Sequence, residues 1–207
     1  MCLSRLGMTN YAKMRKMVRL LKFLIKQFGE MTRPILKVFG EAFADPKFSA
    51  SLLWKQVFVQ KIIGINRHVP WPVHWTSQIK APENIIRGNR CPGLSLGCYL
   101  DGRNGIEVGE NTWIGPGVTI ISMNHDLLDY TSYVKSEPIR IGNDCWIAGN
   151  AVILAGVELG DHTVVAAGAV VTRSFPSANQ IVAGVPARVI GQLDPYLGRE
   201  GNQLSMN

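Results

Sequence analysis

Histidine and cysteine are the side chains best suited to proton or acyl transfer near neutral pH, and the 207-residue chain carries four histidines and four cysteines. Cys2, Cys91, Cys98 and Cys145 form no Cys-x-x-Cys pair, have no histidine at zinc-site spacing, and are too few for a disulfide scaffold. A reducing cytoplasm is their natural setting, and no metal is expected. His68 and His74 read as ordinary polar residues, and His162 falls in a Gly160-Asp161-His162 turn where polar side chains are expected on geometry alone. His125 differs. It lies in Ser122-Met123-Asn124-His125-Asp126-Leu127-Leu128-Asp129-Tyr130, a polar stretch that breaks an otherwise regular pattern. An imidazole with an ordinary pKa of ~6.5 offers a neutral nitrogen that can take a hydroxyl proton and hand it to a leaving group. No glycine-rich P-loop or dinucleotide fingerprint competes with that chemistry.

The pattern that His125 interrupts has a period of six. Ile141, Ile147, Ile153, Leu159, Val165 and Val171 are all branched aliphatics, and most residues that follow them are small, as at Gly142, Ala148, Gly160 and Ala166. Six residues advance an α-helix by ~600°, which scatters the set over three faces. In extended chain six is an even step, so every member points to the same side. Val108, Ile114 and Ile120 repeat the step upstream. Short strands joined by tight turns and stacked as a prism around these aliphatics satisfy both registers, and hexapeptide repeats of this kind are a β-helix signature. From Ile120 to Ile141 the step is broken, so a loop at about 121–138 leaves the coil, and such loops usually carry function.

The remaining quarter has a different character. Lys+Arg 22 against Asp+Glu 15 gives a net charge of +7, and all of that excess falls in residues 1–50. Between Tyr11 and Phe28, Met14, Met17, Val18, Leu21, Leu24, Ile25 and Phe28 recur at helical spacing, with Lys13, Arg15, Lys16, Arg19, Lys22 and Lys26 between them. This basic amphipathic helix either adsorbs on an anionic membrane surface or packs its apolar stripe on the protein's own body or a neighbouring subunit. Pro34 restricts its continuation past Arg33. No apolar run is long enough to span a bilayer, no secretory cleavage site follows, and nucleic-acid binding has only charge to recommend it. The boundaries read as a basic, mostly helical extension over 1–60, a β-helix over 61–190, and a C-terminal tail over 191–207.

Three stretches resemble the hexapeptide-repeat acyltransferases, the left-handed β-helix family of galactoside, maltose, serine and xenobiotic acetyltransferases. They are Ile141 to Ile147 with its Ile-Gly-x-x-x-Trp-Ile form, Asn124-His125-Asp126, and Ala183-Gly184-Val185-Pro186-Ala187-Arg188-Val189-Ile190. Cys91-Pro92-Gly93-Leu94-Ser95-Leu96-Gly97 and Asn104-Gly105-Ile106-Glu107-Val108-Gly109 bring it nearest to the sugar and polysaccharide O-acetyltransferases. The resemblance implies a left-handed coil, although general rules favour right-handed crossovers. It also implies a homotrimer with sites between subunits, and acetyl-CoA as co-substrate. His125 is then the general base. Glu137 resembles the glutamate that orients it, with Asp126 as the adjacent competitor. Trp146, Gly149, Ala167, Thr172, Arg173 and Arg188 match positions that hold coenzyme A, the arginines suiting its phosphates or simply the solubility of a terminal coil. Asn104 and Asp101 precede the loop by about one coil, which makes them acceptor-sugar ligands or turn residues.

The function expected on this basis is O-acetylation of a sugar or polysaccharide precursor, in the cytoplasm and in peripheral contact with the inner membrane face. An acetyltransferase for an antibiotic, a serine or an amino sugar is the rival within enzymes. A β-helix carbonic anhydrase would need three zinc histidines, and only His125 and His162 lie in the coil. A non-catalytic β-helix scaffold is the rival outside enzymes.

Overall fold

A computed structural model describes residues 3–198, with side chains from Met14 onward. Cys2, the Tyr11 and Lys13 side chains, and residues 199–207 of the expected tail lie outside this description. The chain divides between Ile65 and Asn66 into two units.

In the first unit a helix runs over Leu3–Met31 and stops at Thr32, and Pro34 sits in the first turn of the short helix Arg33–Leu36. Proline is tolerated there because its missing N–H would be unpaired in any case. Two 3-10 turns, Lys37–Phe39 and Glu41–Ala44, lead to a helix over Ala50–Val57 whose N-terminal amide at Leu52 is capped by Ser49 Oγ. Leu36, Phe43, Ala44, Leu53 and Val57 form the small core, flanked by Phe39, Phe48 and Trp54. Arg33 ties the turns together through Glu30 Oε2 at 2.6 Å and the carbonyls of Asp45 and Phe48 at 2.8 and 2.9 Å. From Met14 to Gln27 every residue of the long helix is exposed, so its apolar stripe is not covered by the rest of this unit.

The second unit is mainly β, with short parallel strands in three sheets. The first sheet holds Gln78–Lys80, Tyr99–Asp101, Thr119–Ile121, Val152–Ile153 and Val170–Val171. The second holds Ile85–Ile86, Ile106–Val108, Ile139–Ile141 and Glu158–Leu159. The third holds Trp113–Ile114, Trp146–Ile147, Val164–Val165 and Gln180–Ala183, and is closed by the antiparallel strand Arg188–Gln192. The chain visits the sheets in the order first, second, third, first. Between Ile139 and Val171 residues stacked on successive turns are 18 apart, as in Ile153 over Val171, Ile141 over Leu159 and Ile147 over Val165, whereas the earlier turns take 20 or 21, as in Leu100 over Ile120 and Ile85 over Ile106. Those aliphatics, together with Ile120, Ile106 and Leu100, are buried inside the three-sided stack.

Where a small residue follows the aliphatic, it has a steric reason. A Cβ on Gly109 would lie 2.5 Å from the backbone of Gly142, and one on Gly142 would lie 2.6 Å from the amide nitrogen of Asp161. At the same edge Asn111, Asp144, His162 and Asn179 take left-handed backbone, which places His162 among turn residues, its Nδ1 2.9 Å from Asn179 Oδ1.

Candidate active site

A long loop leaves the stack between Thr119–Ile121 and Ile139–Ile141. Ile120 and Ile153, or Ile114 and Ile147, are paired neighbours yet 33 residues apart, so 15 residues beyond the usual 18 leave the coil between the first and second sheets. Two anchors close the coil beneath this loop. Ser122 donates from N and Oγ to the Asp101 carbonyl at 3.0 and 2.6 Å, and the Ile139 amide donates to the Gly105 carbonyl at 3.1 Å.

Asn104 fastens the loop from below. Its Nδ2 lies 3.0 Å from the Ser122 carbonyl, 3.1 Å from the Val134 carbonyl and 3.0 Å from Ser136 Oγ, and its own amide donates to Ser122 Oγ at 2.9 Å. The side chain thus joins the exit of the loop to its return. Within the loop, Asn124–His125 pairs antiparallel with Tyr133–Val134. Asp129 accepts from Thr131 N, Thr131 Oγ1 and Ser132 Oγ at 3.0, 2.6 and 2.8 Å, and those bonds hold its carboxyl below the usual carboxylate range. Asp126 Oδ1 accepts from the Leu128 amide at 2.8 Å. The turn so formed presents the Tyr130 carbonyl to His125.

His125 is exposed, with Nδ1 2.6 Å from the Tyr130 carbonyl oxygen. A carbonyl only accepts, so the proton of the neutral ring is on Nδ1 and the lone pair is on Nε2. The ring also leans on Tyr133, with centroids 4.7 Å apart. The Arg103 guanidinium lies 4.7 Å over the other partner of that contact, the Tyr133 ring, and Arg103 is itself held by Asp101 at 2.7 Å. Asp101 is 1% exposed. Burial by itself would raise its carboxyl, but the hydrogen bonds and charge of Arg103 outweigh this and leave it below the ordinary range. A buried carboxylate therefore reaches the imidazole through a cation and an aromatic ring.

The other expected residues fall in three places. Glu137 is exposed at the end of the loop, and the nitrogen of His125 that it would orient is bonded to Tyr130 instead. Thr172 and Arg173 follow the first-sheet strand Val170–Val171, so they lie on the edge from which the loop leaves, both exposed. Gly149 and Ala167 lie on the edge between the third and first sheets, where Gly168 N donates to the Gly149 carbonyl at 3.0 Å. Trp146 pairs with Trp113 on the outer face of the third sheet, beside a cavity of 480 Å³ that Val164, His162 and Tyr196 also line. Arg188 is on the closing antiparallel strand. Within one chain, then, His125, Asn104 and Asp101 come together, while Gly149 and Ala167 occupy a different edge.

The buried thiols are poor nucleophiles. Burial pushes Cys145 up to about 11 and raises Cys98 as well. Among the described residues no group of three or more His, Cys, Asp or Glu is arranged to hold a metal ion, and no helix is long and apolar enough to cross a membrane.

Comparison with known proteins gives the lineage. The family model described as bacterial transferase hexapeptide (six repeats) matches residues 138–173. Galactoside O-acetyltransferase of Escherichia coli (strain K12) is 39% identical over 92 residues, which are 43% of this chain and 45% of that protein. The chain therefore spans about half the length of that relative. A hexapeptide-repeat containing acetyltransferase from Vibrio cholerae O1 biovar eltor, solved with acetyl coenzyme A, is 32% identical over 57% of this chain and 68% of its own, with a TM-score of 0.47. The chain belongs to the hexapeptide-repeat transferases. A galactoside acetyltransferase solved with coenzyme A has the same fold over 79% of this chain and 83% of its own, at a TM-score of 0.52 and 24% identity.

Three parts of the site in this hexapeptide-repeat chain escape sequence reading. The Tyr130 carbonyl is a backbone group, and no residue pattern announces it. Arg103 and Tyr133 stand 30 residues apart and meet only because the loop returns over the preceding turn. Ser122, by contrast, follows Asp101 by 21 residues, close to one coil, and that spacing was a usable signal.

Proposed function

We propose that the protein transfers an acetyl group from acetyl-CoA to a hydroxyl of a sugar or polysaccharide precursor, with His125 as general base. The observation that carries this reading is the His125 ring itself. Its Nδ1 is committed to the Tyr130 carbonyl, and its free Nε2 is displayed on the long loop that leaves the coil. Nε2 takes the proton of the acceptor hydroxyl as oxygen attacks the thioester carbon, and the proton then passes to the departing thiolate, so no net proton is consumed. Asn104, a well-tethered carboxamide beside the loop, suits the acceptor or the reacting acetyl group. Asp101 acts at one remove, through Arg103.

Coenzyme A needs a surface that a thin arm can approach closely. The edge carrying Gly149 and Ala167 is built of small residues, and a Cβ on Gly149 would already touch the Pro116 carbonyl at 3.3 Å. Trp146 and Arg188 stand on the adjoining third sheet and Thr172 and Arg173 on the loop-bearing edge, so in this reading coenzyme A is held partly by each. Because Gly149 and His125 sit on different edges of one chain, the reading requires two chains at each site, which a homotrimer of left-handed β-helices supplies. Leu127 at 84% and Leu128 at 99% exposure give the loop an apolar tip suited to a neighbouring subunit. A lipid-borne glycan at the inner membrane face fits the acceptor, and the basic helix supports peripheral contact with that surface.

The test is thiol release from acetyl-CoA over a panel of sugars, serine, amino sugars and antibiotics, for the wild type and His125→Ala. Sugar-dependent release that falls ~100-fold or more in the variant supports the reading. Release with the small acceptors alone moves the function to that class. An equally active variant removes His125 as base, and no release with no coenzyme A binding leaves the scaffold reading.

A further inference from the structure

The long helix of the first unit leaves a surface that neither the acetyl-transfer site nor the small helical core uses. At 100° per residue, Met14, Met17, Val18, Leu20, Leu21, Leu24, Ile25, Phe28 and Met31 fall within an arc of roughly 160°. Arg15, Lys16, Arg19, Lys22 and Lys26 fall within roughly 120° on the opposite side, with Phe23 the one apolar residue among them. No acidic residue precedes Glu30. Both arcs are exposed along Met14–Gln27. A helix packed on protein would have its apolar arc covered, and one that is merely soluble would not carry such an arc at all.

The apolar arc runs into a groove of 710 Å³ lined by Leu24, Ile25, Phe28, Ile35 and Trp54, with Gly29, Thr32 and Ser51 completing the wall. Its polar groups are already bonded. Thr32 Oγ1 donates to the Phe28 and Gly29 carbonyls at 3.0 Å and accepts from Trp54 Nε1 at 2.8 Å, and Ser51 Oγ lies 3.3 Å from Ser49 Oγ. Nothing in the groove is arranged to bind a polar ligand, whereas hydrocarbon fits it without leaving a polar group unpaired. The adjoining cations select the partner, because they complement anionic headgroups at the level where an interfacial helix lies.

We infer that this helix and groove form a docking surface for an anionic phospholipid bilayer, with the apolar arc and the groove in the acyl region and the cationic arc among the headgroups. The inference deepens the peripheral contact included in the proposed function. It is read without acetyl transfer, so the two readings fail independently.

The full chain is mixed with vesicles of phosphatidylglycerol and phosphatidylcholine, or of phosphatidylcholine alone, and partition is measured by flotation at low and high salt. Binding is expected to need phosphatidylglycerol and to weaken with salt. Lys22→Glu with Lys26→Glu, both on exposed positions, is expected to weaken it by about fivefold or more for each cation removed. Met17→Gln with Leu21→Gln tests the apolar arc and should weaken binding with the charges intact. Lipids brominated along the acyl chain should quench the wild type more than Trp54→Phe. Absent partition, or partition indifferent to phosphatidylglycerol, overturns the inference. Partition without the Trp54 component of quenching overturns the placement of the groove. A lipid-free oligomer that loses chains in the Met17→Gln, Leu21→Gln variant assigns the face to a second copy instead.

Discussion

His125 needs a partner on Nδ1, and the loop supplies a backbone carbonyl where the family resemblance points to Glu137 and adjacency in sequence to Asp126. A carbonyl fixes the tautomer without adding negative charge, and it leaves Nε2 as the nitrogen that faces a reactant. Glu137→Gln is therefore expected to leave kcat within about threefold of wild type, whereas His125→Ala lowers it ~100-fold or more, with thermal denaturation unchanged in both because both side chains are exposed. Steady-state kinetics beside melting curves separate the two residues. Asp101 gives a second test. Its folded-state carboxyl lies below the unfolded value near 3.8, so its contribution to stability is present above that value and is lost as pH falls through the folded one. Asp101→Asn should cost about 1–2 kcal/mol near neutral pH, discounted because Arg103 is one-third exposed, and the loss should shrink below pH 4. Urea midpoints between pH 3 and 7 measure it.

At the scale of the element, the coil and its glycines were readable from spacing because period and packing are one constraint. A six-residue step puts every aliphatic inside, and the next residue must be small wherever the following turn lies against it. Gly142→Val places side-chain atoms where the amide of Asp161 already sits, so it should lose 3 kcal/mol or more, seen as a melting temperature lowered by several degrees or as insoluble protein. Gly156, whose added Cβ would meet nothing within 4 Å but whose φ is +71°, should tolerate Asn far better than Val. The loop was legible as an interruption, since 21 residues from Ile120 to Ile141 are not a multiple of six. Its interior was not, because the contacts of Tyr130, Tyr133 and Arg103 follow from how the chain returns. No local periodicity encodes that path.

For the whole molecule, the position of His125 on one edge and Gly149 on another makes a prediction about mixtures. If each site draws on two chains, equal amounts of His125→Ala and Ala167→Trp chains, inactive separately, should regain roughly a quarter of wild-type activity after co-refolding. No recovery would place both halves of the site on the same chain. The N-terminal charge and apolar stripe were plain in the sequence. What covers that stripe was not, since composition alone cannot distinguish a face against protein from one against lipid. The last strand has a separate consequence. A stack of parallel strands ends in unpaired amides and carbonyls, and an identical stack can add there turn upon turn. Arg188–Gln192 pairs antiparallel with Gln180–Ala183, with a shift in register at Ile181/Val182. It presents the wrong polarity to the next parallel strand, which makes it a chain terminator for fibre growth along the third sheet.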